Sequence, residues 1–278
     1  MSKRGSGRQG LCAFCGHAGE LTKEDVIPRW LAKFINVHCP HMRWEAVEIA
    51  FGTDQPYRSR VWPAATASVY KRRIVCGECN NVWMSQLETR VKSVLCPLIL
   101  GHHVELDETA RRVLATWATK TALAHEFIQP SDDGITASDA DRCWFRQHQQ
   151  PLANSGVWLA RYTGERGVVI VARSTLFLYD ADATQPALEA HGLVTTLVFG
   201  QVVLRVGVVR SQPTYATRFA VTQGPGIRML WPESNAVTWP LDTTIGDDDL
   251  EAFISMSLPV AGLGAPSQNG RPPTLSAS

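Results

Sequence analysis

Cys12-x-x-Cys15, followed by Gly16, and Cys76-x-x-Cys79, followed by Asn80 and Asn81, are the residues whose types and spacing point most directly to chemistry. Two CxxC pairs match the ligand count and spacing of a four-thiolate zinc site, which keeps no coordination position open and is therefore structural. Such a clasp would join two pieces of chain sixty residues apart, with the acidic stretch Glu24-Asp25-Val26-Ile27-Pro28 between them. Glu24 and Asp25 would then face Asn80 and Asn81, an oxygen-rich setting suited to a hard divalent ion such as Mg2+ or Mn2+. Packed small thiols are the plainer account of the cysteines. A redox pair is disfavoured, because neither CxxC opens a helix after a buried strand in a βαβ pattern. Cys39, Cys96 and Cys143 are scattered and read as packed thiols.

These residues need elements to hold them. Pro28 suits a first helical turn, and Trp30, Leu31, Phe34 and Ile35 follow at helical period to about Asn36. Glu24 and Asp25 are equally accounted for as an acidic lead-in to that helix. From 42 to 75, β-branched and aromatic residues suggest short strands with turns at Gly52 and Pro63. Asn80 is a good N-cap for a helix carrying Trp83, Met84, Leu87, Val91, Val94 and Leu95 and stopped by Pro97. Asp107 caps a longer helix to about Ile128, with Leu114, Trp117, Thr121 and Ala124 as a core face.

Beyond Pro130-Ser131-Asp132-Asp133-Gly134 the pattern turns to strands, at 157–162, 168–172, 176–179, 193–209 and 219–221. Gln201 to Arg210 alternates, which predicts a half-buried strand. Asp247, Asp248 and Asp249 precede Leu250, Phe253 and Ile254, as at the start of a short closing helix. The expected architecture is α+β: a module over 10–128, a mainly antiparallel β domain over 135–258, a basic disordered tail at 1–9 and a second tail at 260–278.

The chain has 278 residues, 45% hydrophobic and 19% charged, as in folded proteins, with no apolar run long enough for a bilayer. Seven cysteines, an odd number, favour a reducing cytoplasm. The formal charge of +1 conceals an asymmetry. Residues 1–128 carry 17 Lys and Arg against 12 Asp and Glu, while 129–278 carry 10 against 14 and no lysine. Lys71-Arg72-Arg73, just before Cys76, is the densest basic run. It would attract a polyanion, although short basic runs are usually solvated faces.

Cys12-Ala-Phe-Cys15-Gly16, Leu21-Thr-Lys-Glu-Asp-Val-Ile-Pro-Arg-Trp-Leu31 and Cys76-Gly-Glu-Cys79-Asn80-Asn81 with Leu87-Glu88 together resemble the HNH nucleases of zinc-stapled, ββα-metal form. The resemblance covers roughly residues 10–100. It implies that Glu24 is a metal ligand, that Asp25 stands where the family has its catalytic histidine, that Asn80 holds the loop and that Glu88 is the third polar residue. Asn81 would be a substitute ligand beside Glu24 and Asp25, with Cys12, Cys15, Cys76 and Cys79 on structural zinc. The implied reaction is Mg2+- or Mn2+-dependent hydrolysis of phosphodiesters in nucleic acid, DNA before RNA, with Lys71, Arg72 and Arg73 on phosphates.

Aspartate is the weaker base by about 2.6 pH units, from reference values of about 3.9 and 6.5. Asp25 therefore reads as an added ligand; either metal coordination acidifies the water enough for a weak base to suffice, or a base comes from His17, His38, His41 or the His102-His103 pair. Two other readings stand beside the nuclease. One is a catalytically degenerate zinc module that binds nucleic acid or a protein. In the other, the β-rich half senses a ligand or an unknown protein partner, with Trp144, Trp158, Trp231 and Trp239 lining a pocket rather than filling a core.

Overall fold

The segments flanking the first cysteine pair form a hairpin, strands β1 (Arg8–Leu11) and β2 (Ala18–Asp25). The structure, a computed structural model, describes residues 8–38, 43–49, 56–62, 71–127, 135–180, 186–209, 218–219, 226–232, 235–255 and 258–261. Cys39, His41, Gly52, Pro63, Ile128 and the 130–134 turn lie outside these residues, as do the two tails apart from their inner ends. Those inner ends belong to strands: Arg8 and Gln9 to β1, Val260 and Ala261 to the last one.

Strand β5 (Lys71–Cys76) completes a three-stranded antiparallel sheet in the order β1-β2-β5, with Glu24 opposite Arg72 and Asp25 opposite Lys71. Helix α1 (Arg29–His38) leaves β2 through Pro28, whose carbonyl accepts from Leu31 and Ala32, and buries Leu31, Ala32 and Ile35. After β5 the chain enters a wide turn of helix over Cys79–Met84 and then helix α2 (Ser85–Ile99). Pro97 lies inside α2 rather than ending it. The stop comes from Gly101 at φ +71°, with His102 N–H donating to the Pro97 carbonyl and Gly101 N–H to Leu98, the paired bonds of a Schellman ending.

Helix α3 (Glu108–His125) begins as expected, with Asp107 accepting from Ala110 N–H at 2.7 Å. Its burial is not a stripe: every residue from Leu114 to His125 is buried. The helix lies between α2 and a large sheet, so from Leu114 onward it has no solvent face. The hydroxyls of Thr119 and Thr121 are satisfied by the carbonyls of Ala115 and Trp117 one turn back, at 2.9 Å each. Helix α4 (Asp139–His148) was not legible from apolar period, yet a reciprocal Ser138–Asp141 capping box starts it.

Among the described residues the large sheet has ten strands. Its spine is β7 (Ser155–Tyr162), β8 (Arg166–Asp180), β9 (Pro186–Phe199) and β10 (Val202–Val209), in the spatial order β8-β9-β10-β7. The run expected as one strand from 193 to 209 is a hairpin turning at Gly200, φ +58°. Strand β10 is buried on both faces, not one. Val202, Leu204, Val206 and Val208 join the core with α3, while Val203 and Val209 pack in a second cluster with Leu250, Phe253 and Ile254. Those three belong to helix α5 (Asp247–Ser255), which starts after the acidic run as expected.

Pairing is mostly antiparallel, with three parallel contacts. One of them brings β3 (Arg43–Ile49), and with it β4 (Pro56–Trp62), onto β8. Residues 43–49 and 56–62 thus belong to the sheet of the C-terminal half. One continuous core runs from Cys12 to Leu241, and Trp239 Nε1 donates to the Leu98 carbonyl at 3.1 Å. A short two-stranded sheet pairs β6 (Val104–Leu106) with Val237–Trp239, and buried residues of both 10–128 and 135–258 enter the continuous core. Trp158 and Trp239 are fully buried core residues, and Trp144 stacks on His148.

Candidate metal centre and the ion cluster beside it

The first CxxC forms a tight turn because Gly16 takes φ +70°, which a residue with a Cβ adopts only with strain. Gly16 N–H donates to the Cys12 carbonyl at 2.9 Å, and Cys12 N–H to the His17 carbonyl at 3.0 Å. Ala13 N–H reaches the Ile74 carbonyl at 2.8 Å, bringing the turn beside the strand that ends at Cys76. The sulfurs of Cys12, Cys15, Cys76 and Cys79 all lie within 4.8 Å of one another, and those of Cys15 and Cys76 are 3.7 Å apart. Tetrahedral ligands at about 2.3 Å from zinc stand about 3.8 Å apart, so the four thiols could hold a metal ion and the donor set suits zinc.

The thiols depend on one another. The hydrogen bond with Cys79 holds Cys12 down to about 4, the same bond pushes Cys79 up, and burial pushes Cys15 up to about 11. A divalent cation is what lets four such groups act together as thiolates.

Two arginines of α4 complete the surroundings and were not singled out from sequence. Arg142 Nε donates to the Ala13 carbonyl at 2.8 Å, and its other nitrogens reach the Ala137 carbonyl and Asp139. Arg146 pairs with Glu78, inside the second CxxC, at 2.8 Å. Phe14, Trp83 and Phe145 pack edge to face or tilted, with centroids 5.5–6.2 Å apart, fixing the knuckle between α4 and the start of the 79–84 helix. The Ser138–Asp141 box was the available signal for α4.

Glu24 and Glu88 do come together, around a residue that the sequence did not single out. Lys120 Nζ of α3 is 2.8 Å from Glu24 Oε1 and 3.4 Å from Glu88 Oε1. Lys120 has no exposed side-chain surface and Glu24 almost none. Burial pushes the Glu88 carboxyl up against the pull of Lys120. Burial by itself would lower Lys120, yet Glu24 and Glu88 carry its ammonium above the ordinary value. A lone lysine in the apolar run Trp117-Ala-Thr-Lys120-Thr-Ala-Leu was the signal that could have found it.

Asp25 lies apart from that cluster, 3.0 Å from Arg29 Nε and 3.2 Å from Lys71 Nζ. Asn80 Nδ2 donates to Thr22 Oγ1 at 3.0 Å and to the Lys23 carbonyl at 3.1 Å. It clamps β2 where the β2–β5 register shifts. Asn81 is exposed, near Gly77. Arg73 donates to the Leu21 carbonyl at 3.1 Å, so Arg72 is the one exposed member of the 71–73 run. Further exposed cations nearby in the fold are Lys23, Arg29, Lys33 and Lys92, the last 5.8 Å over the Trp30 ring.

Of the described candidate bases, His17 lies in the first cysteine turn, its carbonyl accepting from Cys12 N–H. The His38 ring packs on Phe34, the His102 backbone closes α2, and His103 stands 4.0 Å from Glu105. No helix among the described residues is long and apolar enough to cross a membrane. Neither a protein-family model nor a curated protein nor a solved structure matches the chain.

Proposed function

We propose that the N-terminal unit is a zinc-stapled, HNH-like module that binds nucleic acid by its phosphates without cutting it. The observation that carries this reading is the buried Lys120 ammonium, 2.8 Å from Glu24 and 3.4 Å from Glu88. Those are two of the carboxylates that a catalytic Mg2+ or Mn2+ would use. An ammonium already offsets one of the two charges, and a divalent ion there would meet its repulsion at close range. Asp25 is likewise neutralised by Arg29 and Lys71, and the Asn80 amide donates to the backbone and side chain of β2.

Support for a polyanionic partner comes from the cations left exposed. Arg29 and Lys33 are one turn apart on α1 and share a face, and the Asp25 carboxylate joins Arg29 to Lys71 at the start of β5. Arg72 follows on β5, and Lys92 reaches Trp30 beside Arg29. Such a band positions a phosphate backbone and reads no bases.

The test has two arms. Fluorescence anisotropy with labelled duplex DNA and RNA should show binding that weakens with salt. Combining Arg29→Ala, Lys33→Ala and Arg72→Ala should flatten the logarithmic salt slope by about 0.9 per lost contact. Supercoiled plasmid with Mg2+ or Mn2+ should remain uncut. Absence of salt-sensitive binding would sink the proposal. Metal-dependent nicking that Glu24→Gln abolishes would replace it with an active nuclease.

A further inference from the structure

Four thiolates on one divalent cation leave a net charge of −2, which a half-buried site must neutralise from its surroundings. Arg146 is placed to do so. It comes from α4, nearly seventy residues after the second cysteine pair. One nitrogen, Nη2, pairs with Glu78 at 2.8 Å, while Nε is buried and has no hydrogen-bond partner among the described residues. One turn earlier on the same face of α4, Arg142 donates to the Ala13 carbonyl between Cys12 and Cys15, so each arginine meets the loop of one cysteine pair.

We propose that Arg146 is an outer-sphere positioning residue of the candidate metal centre, its guanidinium neutralising the tetrathiolate and so favouring metal retention. Lysine would supply the charge without the planar fork, and an apolar chain would supply the stem alone. Glu78 acts in the opposite direction. Its carboxylate adds negative charge one residue from Cys79 and competes for the same guanidinium.

The experiment uses the full chain loaded with Zn2+ or Co2+. It reads metal release to a colorimetric chelator and the thiolate-to-Co2+ charge-transfer bands. Arg146→Met should weaken metal binding by about 10- to 100-fold, the usual scale for an outer-shell partner, and shift those bands. Arg146→Lys should recover much of the loss. Glu78→Gln should slow release, opposite in sign to Arg146→Met, because it removes a negative charge beside the centre. If the pair were merely a surface clamp, both changes would speed release, and that result overturns the proposal. Ser138→Ala weakens the α4 cap while keeping Arg146, so its release should match the parent. Equal losses in Ser138→Ala and Arg146→Met would assign the effect to helix docking and overturn the proposal. Parent-like metal binding in Arg146→Met, or no metal binding by the parent chain, would also overturn it.

Discussion

Lys120 illustrates how a single buried charge sets what its neighbours can do. With Glu24 and Glu88 it makes an ion cluster in which the ammonium and Glu24 are almost fully withdrawn from water. Withdrawing charges costs about as much as their attraction returns, so such a cluster adds little net stability, but removing one member leaves the others uncompensated. Lys120→Met should therefore destabilise the protein by about 3–5 kcal/mol. Adding Glu24→Gln to that variant should restore much of the loss, since the stranded carboxylate is then gone. Urea unfolding of both variants at pH 7 measures this; equal midpoints for the single and double variants would contradict the coupling. Aspartate at position 25 has a different fate, because its position near the end of β2 lets Arg29 and Lys71 reach it.

At the scale of elements, α3 is unusual in carrying Thr116, Thr119, Lys120, Thr121 and His125 into the interior. Its last turn is capped by Glu126, a buried acid at the negative end of a helix. Burial pushes Glu126 up to about 7, although Thr136 N–H donates to it at 2.9 Å. Between its ordinary value of 4.5 and about 7 the folded protein holds a proton that the unfolded chain releases. Stability from this group is thus complete below 4.5 and is lost as pH rises through 7. Glu126→Gln keeps the acceptor and removes the ionisation. It should raise unfolding stability by about 3 kcal/mol at pH 8, from roughly 1.36 kcal/mol per pH unit over the gap between 4.5 and about 7, and change it little at pH 4. Denaturant midpoints at the two pH values decide it; an equal gain at both would refute the assignment.

In the whole molecule, the four-cysteine cluster, α3 and the large sheet share one core. The knuckle is nonetheless held by few elements: β1, β5, the 79–84 turn and α4. Metal removal should therefore loosen this end first, since ligand thiolates without a cation repel one another. Hydrogen exchange with and without a zinc chelator should lose protection at 11–17 and 72–79 while β10, buried on both faces, stays protected. Uniform loss across both regions would show instead that the metal holds the entire fold.

The four cysteines, the acid–Ile–Pro turn, the Asp107 cap and the acidic start of α5 were legible from sequence because each depends on local spacing or on a helix end. Cysteine spacing carries ligand geometry within each pair, and capping is settled within three or four residues. Which charge meets Glu24 was not local: Lys120 is 96 residues away, and only the seating of α3 against α2 and β2 brings it there. The same holds for β3 and β4 joining the distant sheet, for both faces of β10 being covered, and for Arg142 and Arg146 closing over the knuckle. Residue patterns prescribe which side chains must be buried or capped, whereas the partner that buries them is chosen by packing between elements far apart in the chain.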